Sequence, residues 1–342
     1  MNTLLRSILG VVAILVLATT LSACGGFRPS ANAKANQPLK QETVNKLAAM
    51  GSSPAAPMMI RIIKQSNELE VWKESRGTFK LFKTYEICAW SGALGPKVKE
   101  GDRQSPEGFY TITPGLMNPN SNYYLAFNTG YPNKFDRVWG RTGSDLMVHG
   151  DCSSRGCYSM TDESIAEIYA LARETFKGGN PSFQLQIFPF RMTATNLARN
   201  ADSPHMSFWK DIKEGYDSFE LTKRPPTWDV CSKEYVFNVP GETALEAAAS
   251  CPASVAQAVP AGLRAKMAAD EAEIARQVAS LEDKAARAAA DAERAAAAEA
   301  EARARGEAIG SFIGGLFGGG DAAKVIDPSK VAPVPAPRLH RA

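Results

Sequence analysis

The stretch 262–305 consists almost wholly of Ala, Glu, Asp, Lys and Arg. Such a run cannot supply a hydrophobic core, so any globular body in this 342-residue chain must be built from the residues before it. Ala is the strongest helix former, and mixed charges three and four residues apart support an exposed helix. A long alanine-rich helix is therefore expected over 256–305. Leu263, Met267, Ile274, Val278 and Leu281 form a thin apolar stripe that fades after 281, which favours a solvated single helix over a coiled coil. The remainder, 306–342, is Gly-rich and then Pro-rich and reads as a disordered tail.

The opposite end reads as a targeting segment. Arg6 precedes an apolar core over 8–19, which is of signal-peptide length and too short for a membrane span. Leu21-Ser22-Ala23-Cys24-Gly25 resembles the bacterial lipobox. That resemblance implies a signal peptide over 1–23, lipid on Cys24, and a membrane-anchored envelope protein facing the periplasm. The lack of an Asp after Cys24 goes, in the same resemblance, with outer-membrane sorting. Residues 24–57, rich in Ala, Asn, Gln, Ser and Pro, read as a flexible tether with one short helical turn near 44–47.

Export places the cysteines in an oxidising compartment. Cys231 and Cys251 can pair across a loop of moderate length. Cys88 lies in a strand-like run and reads as a small buried apolar residue. The net charge of +3 is small, and Lys and Arg are scattered among acids without a basic block, so no nucleic-acid partner is expected.

The folded body is expected to be α+β and rich in β. Residues 58–64 are a strand candidate, 68–73 and 79–88 alternate, and short turns link the three, as in an antiparallel meander. A Gly/Pro-rich stretch leads to a strand at 109–113. The turn-rich segment 114–145 carries many aromatics and reads as the wall of a binding cleft. A short strand, 146–148, ends at His149. Thr161 is a helix N-cap, followed by acids in the first turn and apolar residues at helical spacing up to Gly178-Gly179. Another strand covers 184–190. Residues 192–255 read as an accessory helical segment packed on the sheet, with His205 structural or capping.

Between strand and helix lies the run from Met147 to Met160, with His149 and Cys157 eight positions apart. A thiol becomes a good nucleophile when a base or a positive field lowers its pKa. His149 can supply the base, and Asp151 or a backbone carbonyl around Gly150 can orient it. The N–H groups of the Ser154-Arg155-Gly156-Cys157 turn are candidate oxyanion donors, and the coming helix places Cys157 near positive partial charge. Other arrangements stay open. Zinc on His149, Cys152 and Cys157 lacks an evident fourth ligand. A Cys152–Cys157 disulfide would block catalysis. A plain Gly-rich turn would carry no chemistry.

Ser154-Arg155-Gly156-Cys157, an aromatic and Met160 after it, and His149-Gly150 upstream resemble the signature of the L,D-transpeptidase (YkuD-type) catalytic domain. The short spacing and the Gly156-Cys157-Tyr158-Ser159-Met160-Thr161-Asp162 ending are most similar to its YafK-like branch. Further matching blocks lie at 100–110, 118–121, 130–133 and 140–143. The resemblance implies a YkuD-like β-sandwich over 58–191 and a cysteine enzyme acting on peptidoglycan stem peptides through a thioester, without a cofactor or metal. It assigns Cys157 as nucleophile and His149 as base, with Gly156, Gly150 and Ser154 as oxyanion or orienting residues. Arg155, Arg141, Tyr124 and Tyr131 are the expected substrate-binding residues, since the substrate carries carboxylates and an extended peptide. Arg155 stands where many members have a second histidine, and the His-to-Cys loop is short. Both departures leave open whether the acyl group passes to an amine or to water. A hydrolase releasing a wall-linked lipoprotein and a non-catalytic peptidoglycan-binding lipoprotein are the alternatives.

Overall fold

The computed structural model describes residues 30–153, 156–239 and 244–316. The lipobox, Ser154, Arg155 and the segment 317–342 lie outside the described residues. The chain divides into two units, Met1–Val278 and Ala279–Ala342.

The first unit is organised on a five-stranded sheet with the order β3-β2-β1-β9-β4. The strands are β1 (Met58–Ile63), β2 (Glu68–Ser75), β3 (Thr78–Glu86), β4 (Gly108–Ile112) and β9 (Phe183–Phe188). The expected meander β1-β2-β3 is present and antiparallel. Ser75 pairs with Thr78 across Arg76 and Gly77, whose φ values of 56° and 84° suit a two-residue hairpin turn. β1 is buried along its whole length because β2 flanks it on one side and β9, in parallel, on the other.

A four-stranded sheet, β5-β6-β7-β8, completes the sandwich: β5 (Met117–Asn118), β6 (Ala126–Asn128), β7 (Met147–His149) and β8 (Tyr158–Ser159). One core draws on both sheets and on helix α4 (Asp162–Lys177). It includes Ile60, Ile62, Leu185, Phe127, Val148, Tyr158, Ile165 and Ile168. The opposite face of the large sheet carries a second core of Phe109, Phe188, Trp209, Ile212, Tyr216 and Phe237. Side chains alternate along a strand, so Phe109 enters the second core and its neighbour Tyr110 the first. The accessory segment supplies this second layer with α5 (Ala194–Arg199), α6 (Met206–Thr222) and the hairpin β10 (Trp228–Cys231) and β11 (Glu234–Phe237). His205 is structural, with its ring against Trp209 and beside Gly95.

Three expectations about the flanks need correction. The described part of the supposed tether is folded: α1 (Ala31–Ala35) and α2 (Gln41–Ala49) lie on the domain, and Leu47 is fully buried. Lys34 Nζ donates to the Tyr124 carbonyl at 3.0 Å, and Arg173 Nη1 donates to those of Ala35 and Gln37 at 2.5 and 3.0 Å. This strap is held by side chain-to-backbone bonds and one buried Leu, which composition does not reveal. Next, after α7 (Ala253–Ala258), helix α8 (Ala261–Leu316) runs past 305 through the glycines expected to begin the tail. Last, the start of α8 is not solvated on all sides. Leu263 and Ile274 are buried, and Asp270 pairs with Lys213 of α6. In the second unit the helix is exposed and carries same-face ion pairs such as Arg287–Asp283. Among the described residues, no helix is long and apolar enough to cross a membrane.

Of the cysteines, Cys231 and Cys251 pair as expected, while the partner of Cys88 corrects the expectation. Cys88 is not a buried apolar residue but is bonded to Cys152, and Cys231 is bonded to Cys251. Cys157 keeps its thiol outside both disulfides. The Cys152–Cys157 disulfide and the zinc set of His149, Cys152 and Cys157 are therefore both replaced.

Candidate active site

β7 and β8 pair in parallel, with Val148 opposite Tyr158 and His149 opposite Ser159. Val148 and Tyr158 are fully buried in the core. Alternation then turns their neighbours to the other face, so Cys157, one step before Tyr158, shares a face with His149. Both line a cleft of about 310 Å³ with Lys97, Glu100, Arg103 and Tyr123.

The imidazole is held by the backbone. His149 is 3% exposed, and its Nδ1 lies 2.5 Å from the Gly150 carbonyl oxygen. Only a protonated nitrogen can donate there, so the contact assigns the Nδ1–H tautomer and leaves the Nε2 lone pair available. The Tyr123 ring covers the imidazole, with centroids 4.7 Å apart and planes at 34°. Burial pushes the His149 pKa below the ordinary value, while the Gly150 carbonyl and Asp151 act in the opposite direction.

The Cys157 thiol receives a hydrogen bond from Met147 N–H at 3.4 Å and points at the Asp145 carbonyl at 3.6 Å. Burial pushes its pKa up; the Met147 N–H lowers it and the Asp145 carboxylate raises it further. Thr161 does cap α4 and accepts from Ser164 N–H, but the acid Asp162 fills the first turn. Both shifts favour a neutral thiol beside a neutral imidazole, a couple that can pass a proton from sulfur to Nε2.

The loop after His149 is pinned on several sides. Asp151 and Cys152 adopt φ values of 68° and 40°, uncommon for residues with a side chain. Asp162 Oδ1 accepts from Asp151 N–H at 3.0 Å, Cys152 N–H donates to the Met160 carbonyl at 3.2 Å, and the Cys88 disulfide ties the loop to the segment after β3. The near wall of the cleft is fixed by a buried pair. Lys64 Nζ donates to Glu107 Oε1 at 2.8 Å and to the carbonyls of Ala93, Gly95 and Ser105, while Glu107 Oε2 accepts from Trp209 Nε1.

Residues 59–182 match the L,D-transpeptidase catalytic domain family, YkuD. Over 227 residues the chain is 40% identical to YafK of Escherichia coli (strain K12), which carries L,D-transpeptidase as a provisional name. That match takes in 66% of this chain and 90% of YafK. The chain belongs to the L,D-transpeptidase family. YafK of Escherichia coli O157:H7 matches to the same extent, at 40% over 227 residues. Among solved structures, the helical cell shape determining protein Pgp2 from Campylobacter jejuni is 22% identical with a TM-score of 0.31, over 42% of this chain and 54% of Pgp2. Nothing follows for this chain from a superposition at that level.

Within this member of the family the residues singled out by sequence separate into three groups. His149, Gly150, Gly156 and Cys157 come together. Gly150 acts through its carbonyl, and its N–H is already spent on the Tyr123 and Leu125 carbonyls at 3.0 and 3.2 Å. Gly156 has φ +131°, which favours glycine. Three expected substrate-binding residues stand elsewhere. Arg141 pairs with the buried Asp136 at 2.9 Å and stacks on Phe135 and Phe208, so it is structural. Tyr131 is buried, and its hydroxyl donates to the carbonyls of Lys97 and Thr142. Tyr124 lines a different cavity of about 400 Å³, beside Leu39 and Asp162. Ser154 and Arg155 form the third group, outside the described residues.

Sequence reasoning placed Tyr123 in the cleft-wall segment 114–145 without singling it out, and it missed Arg103 as a cleft residue. Tyr123 and Tyr124 face different ways because Tyr124 adopts φ 67° in a bend, which the sequence does not announce. The signal for Arg103 was its place in the 100–110 block that resembles the family.

Proposed function

We propose that the protein performs cysteine-based acyl transfer on peptidoglycan stem peptides. The observation that carries this reading is the shared face of Cys157 and His149, with Nδ1 held by the Gly150 carbonyl. His149 Nε2 takes the proton from Cys157 Sγ as sulfur attacks the carbonyl carbon of a diaminopimelate residue. The C–S bond forms, and backbone N–H groups at Gly156 and Cys157 receive the oxyanion. Collapse breaks the C–N bond, and the leaving amine takes the proton from His149, giving a thioester. An amine or water then attacks, gives its proton to His149 and releases the thiol. An amine completes a transpeptidation; water completes a hydrolysis, including release of a wall-linked lipoprotein. We infer that lipid on Cys24 holds the domain to the membrane facing the periplasm, on the outer-membrane side of the envelope.

The test incubates the protein, and its Cys157→Ala variant, with tetrapeptide muropeptides and with lipoprotein-linked sacculi. Crosslinked muropeptides indicate a transpeptidase, and released lipoprotein peptide a hydrolase. Binding without turnover, unchanged in the variant, contradicts the proposal.

A further inference from the structure

We propose that Arg103 is the carboxylate anchor of the cleft, a specificity-determining residue that sets a carboxylate of the substrate beside the Cys157 thiol. The inference rests on the acyl-transfer reading of Cys157 and names a feature of the substrate which that reading leaves open.

Arg103 sits on a loop that borders Cys157. Its next two residues run along the nucleophile's backbone. Ser105 Oγ donates to the Cys157 carbonyl at 3.4 Å, and the Gln104 carbonyl lies 4.0 Å from where a Cβ on Gly156 would stand. Arg103 is exposed and lines the same cleft as Cys157 and His149.

Arg103 also adopts a backbone conformation that side chains disfavour, with φ 53°. Asp102 holds it there. Its carboxylate accepts from Val98, Lys99 and Gln104 N–H at 2.9, 3.0 and 3.0 Å and pairs with Lys97 Nζ at 2.5 Å. Strained residues of this kind, over-determined by their surroundings, cluster at ligand clamps.

The charges in the cleft sort by what they already hold. Lys97 is buried and matched by Asp102, with a further bond to the Lys99 carbonyl at 2.8 Å. Glu100 and Asp145 line the cleft and repel an anion placed beside them. Among the described residues, no carboxylate forms an ion pair with Arg103, which leaves its guanidinium as the cleft's cation for an incoming carboxylate. A guanidinium binds a carboxylate with two parallel, charge-assisted hydrogen bonds.

The test reads carboxylate recognition at Cys157 without requiring turnover. Cys157 is alkylated in the full chain with iodoacetate and, separately, with iodoacetamide at one pH, and the labelled peptide is quantified by mass. The ratio of the two rates cancels the thiolate fraction, and an unchanged iodoacetamide rate reports an intact site. Arg103→Gln is expected to lower the iodoacetate-to-iodoacetamide ratio about fivefold or more, as loss of a charge-assisted contact implies. Arg103→Lys is expected to restore part of it. A ratio unchanged in Arg103→Gln overturns the proposal, even if stem peptides are turned over. If the ratio falls while no stem peptide is processed, the anchor stands and the substrate reading fails.

Discussion

The Gly150 carbonyl oxygen lies 2.5 Å from His149 Nδ1, so the residue after His149 fixes which of its nitrogens can take a proton. A Cβ on Gly150 would stand 2.5 Å from Asp162 Oδ1 and 3.0 Å from both the Tyr123 carbonyl and Tyr124 Cβ. A side chain there must move the loop and the carbonyl with it. Gly150→Ala should therefore lower kcat about 10- to 100-fold while the far-ultraviolet dichroism is retained, because a small misplacement of a catalytic group has costs of that order. Full activity in the variant would show that the carbonyl does not set the tautomer.

The pH profile follows from the two shifted groups. The His149 pKa lies below the ordinary histidine value of 6.5, so the imidazole stays neutral and able to accept a proton down to a pH below 6.5. The Cys157 pKa lies above the ordinary thiol value of 9.0, so the resting thiol stays protonated at neutral pH. The acid limb of kcat/KM should then fall below pH 6.5, and iodoacetamide labelling of the free enzyme should still be rising with pH at 9.0. A labelling rate flat from pH 5 to pH 8 would mean a preformed thiolate–imidazolium pair instead.

The Cys88–Cys152 disulfide closes 64 residues of chain and anchors a loop with two consecutive positive φ values. Replacing both cysteines with Ser should cost about 2–4 kcal/mol of stability, measured by urea unfolding under oxidising conditions. It should also lower kcat, since Asp151 and Cys152 directly follow Gly150, whose carbonyl holds His149 Nδ1. Stability lost without any change in kcat would separate the staple from the site.

Glu107 and Lys64 are both fully buried. Glu107→Ala leaves the Lys64 ammonium with backbone carbonyls and the Trp90 ring but without its carboxylate, and frees Trp209 Nε1. The expected loss is about 3–5 kcal/mol, the range for removing one partner of a buried pair. Urea midpoints of the variant and the parent give the figure, and a loss under about 1 kcal/mol would show that the pair is not what fixes this wall.

Much of this was legible in the chain because it is local. Alternation gave the strands of the meander, Thr161 gave the start of α4, and the Gly-Cys-Tyr-Ser-Met block gave the family. What was not legible depends on distant contacts. Cys88 meets Cys152 only because the segment after β3 bridges to β8 through Ala89 and Ser159. Arg141 resembles an anion binder until Asp136 and two aromatic rings are seen around it. Tyr124 and Tyr123 are adjacent in sequence, yet only the latter reaches the imidazole. The strap over 30–57 has too few apolar residues to announce itself, and its ordering comes from Lys34 and Arg173 reaching backbone carbonyls.

The central claim is that the acyl group passes through Cys157. Intact-mass analysis of the protein mixed rapidly with a tetrapeptide muropeptide and quenched in acid tests it most directly. The expected result is an adduct with the mass of the acyl donor less its leaving amine, mapped to Cys157, released by hydroxylamine and absent in Cys157→Ala. Product formation by Cys157→Ala at the parent rate, with no adduct in the parent protein, would contradict it.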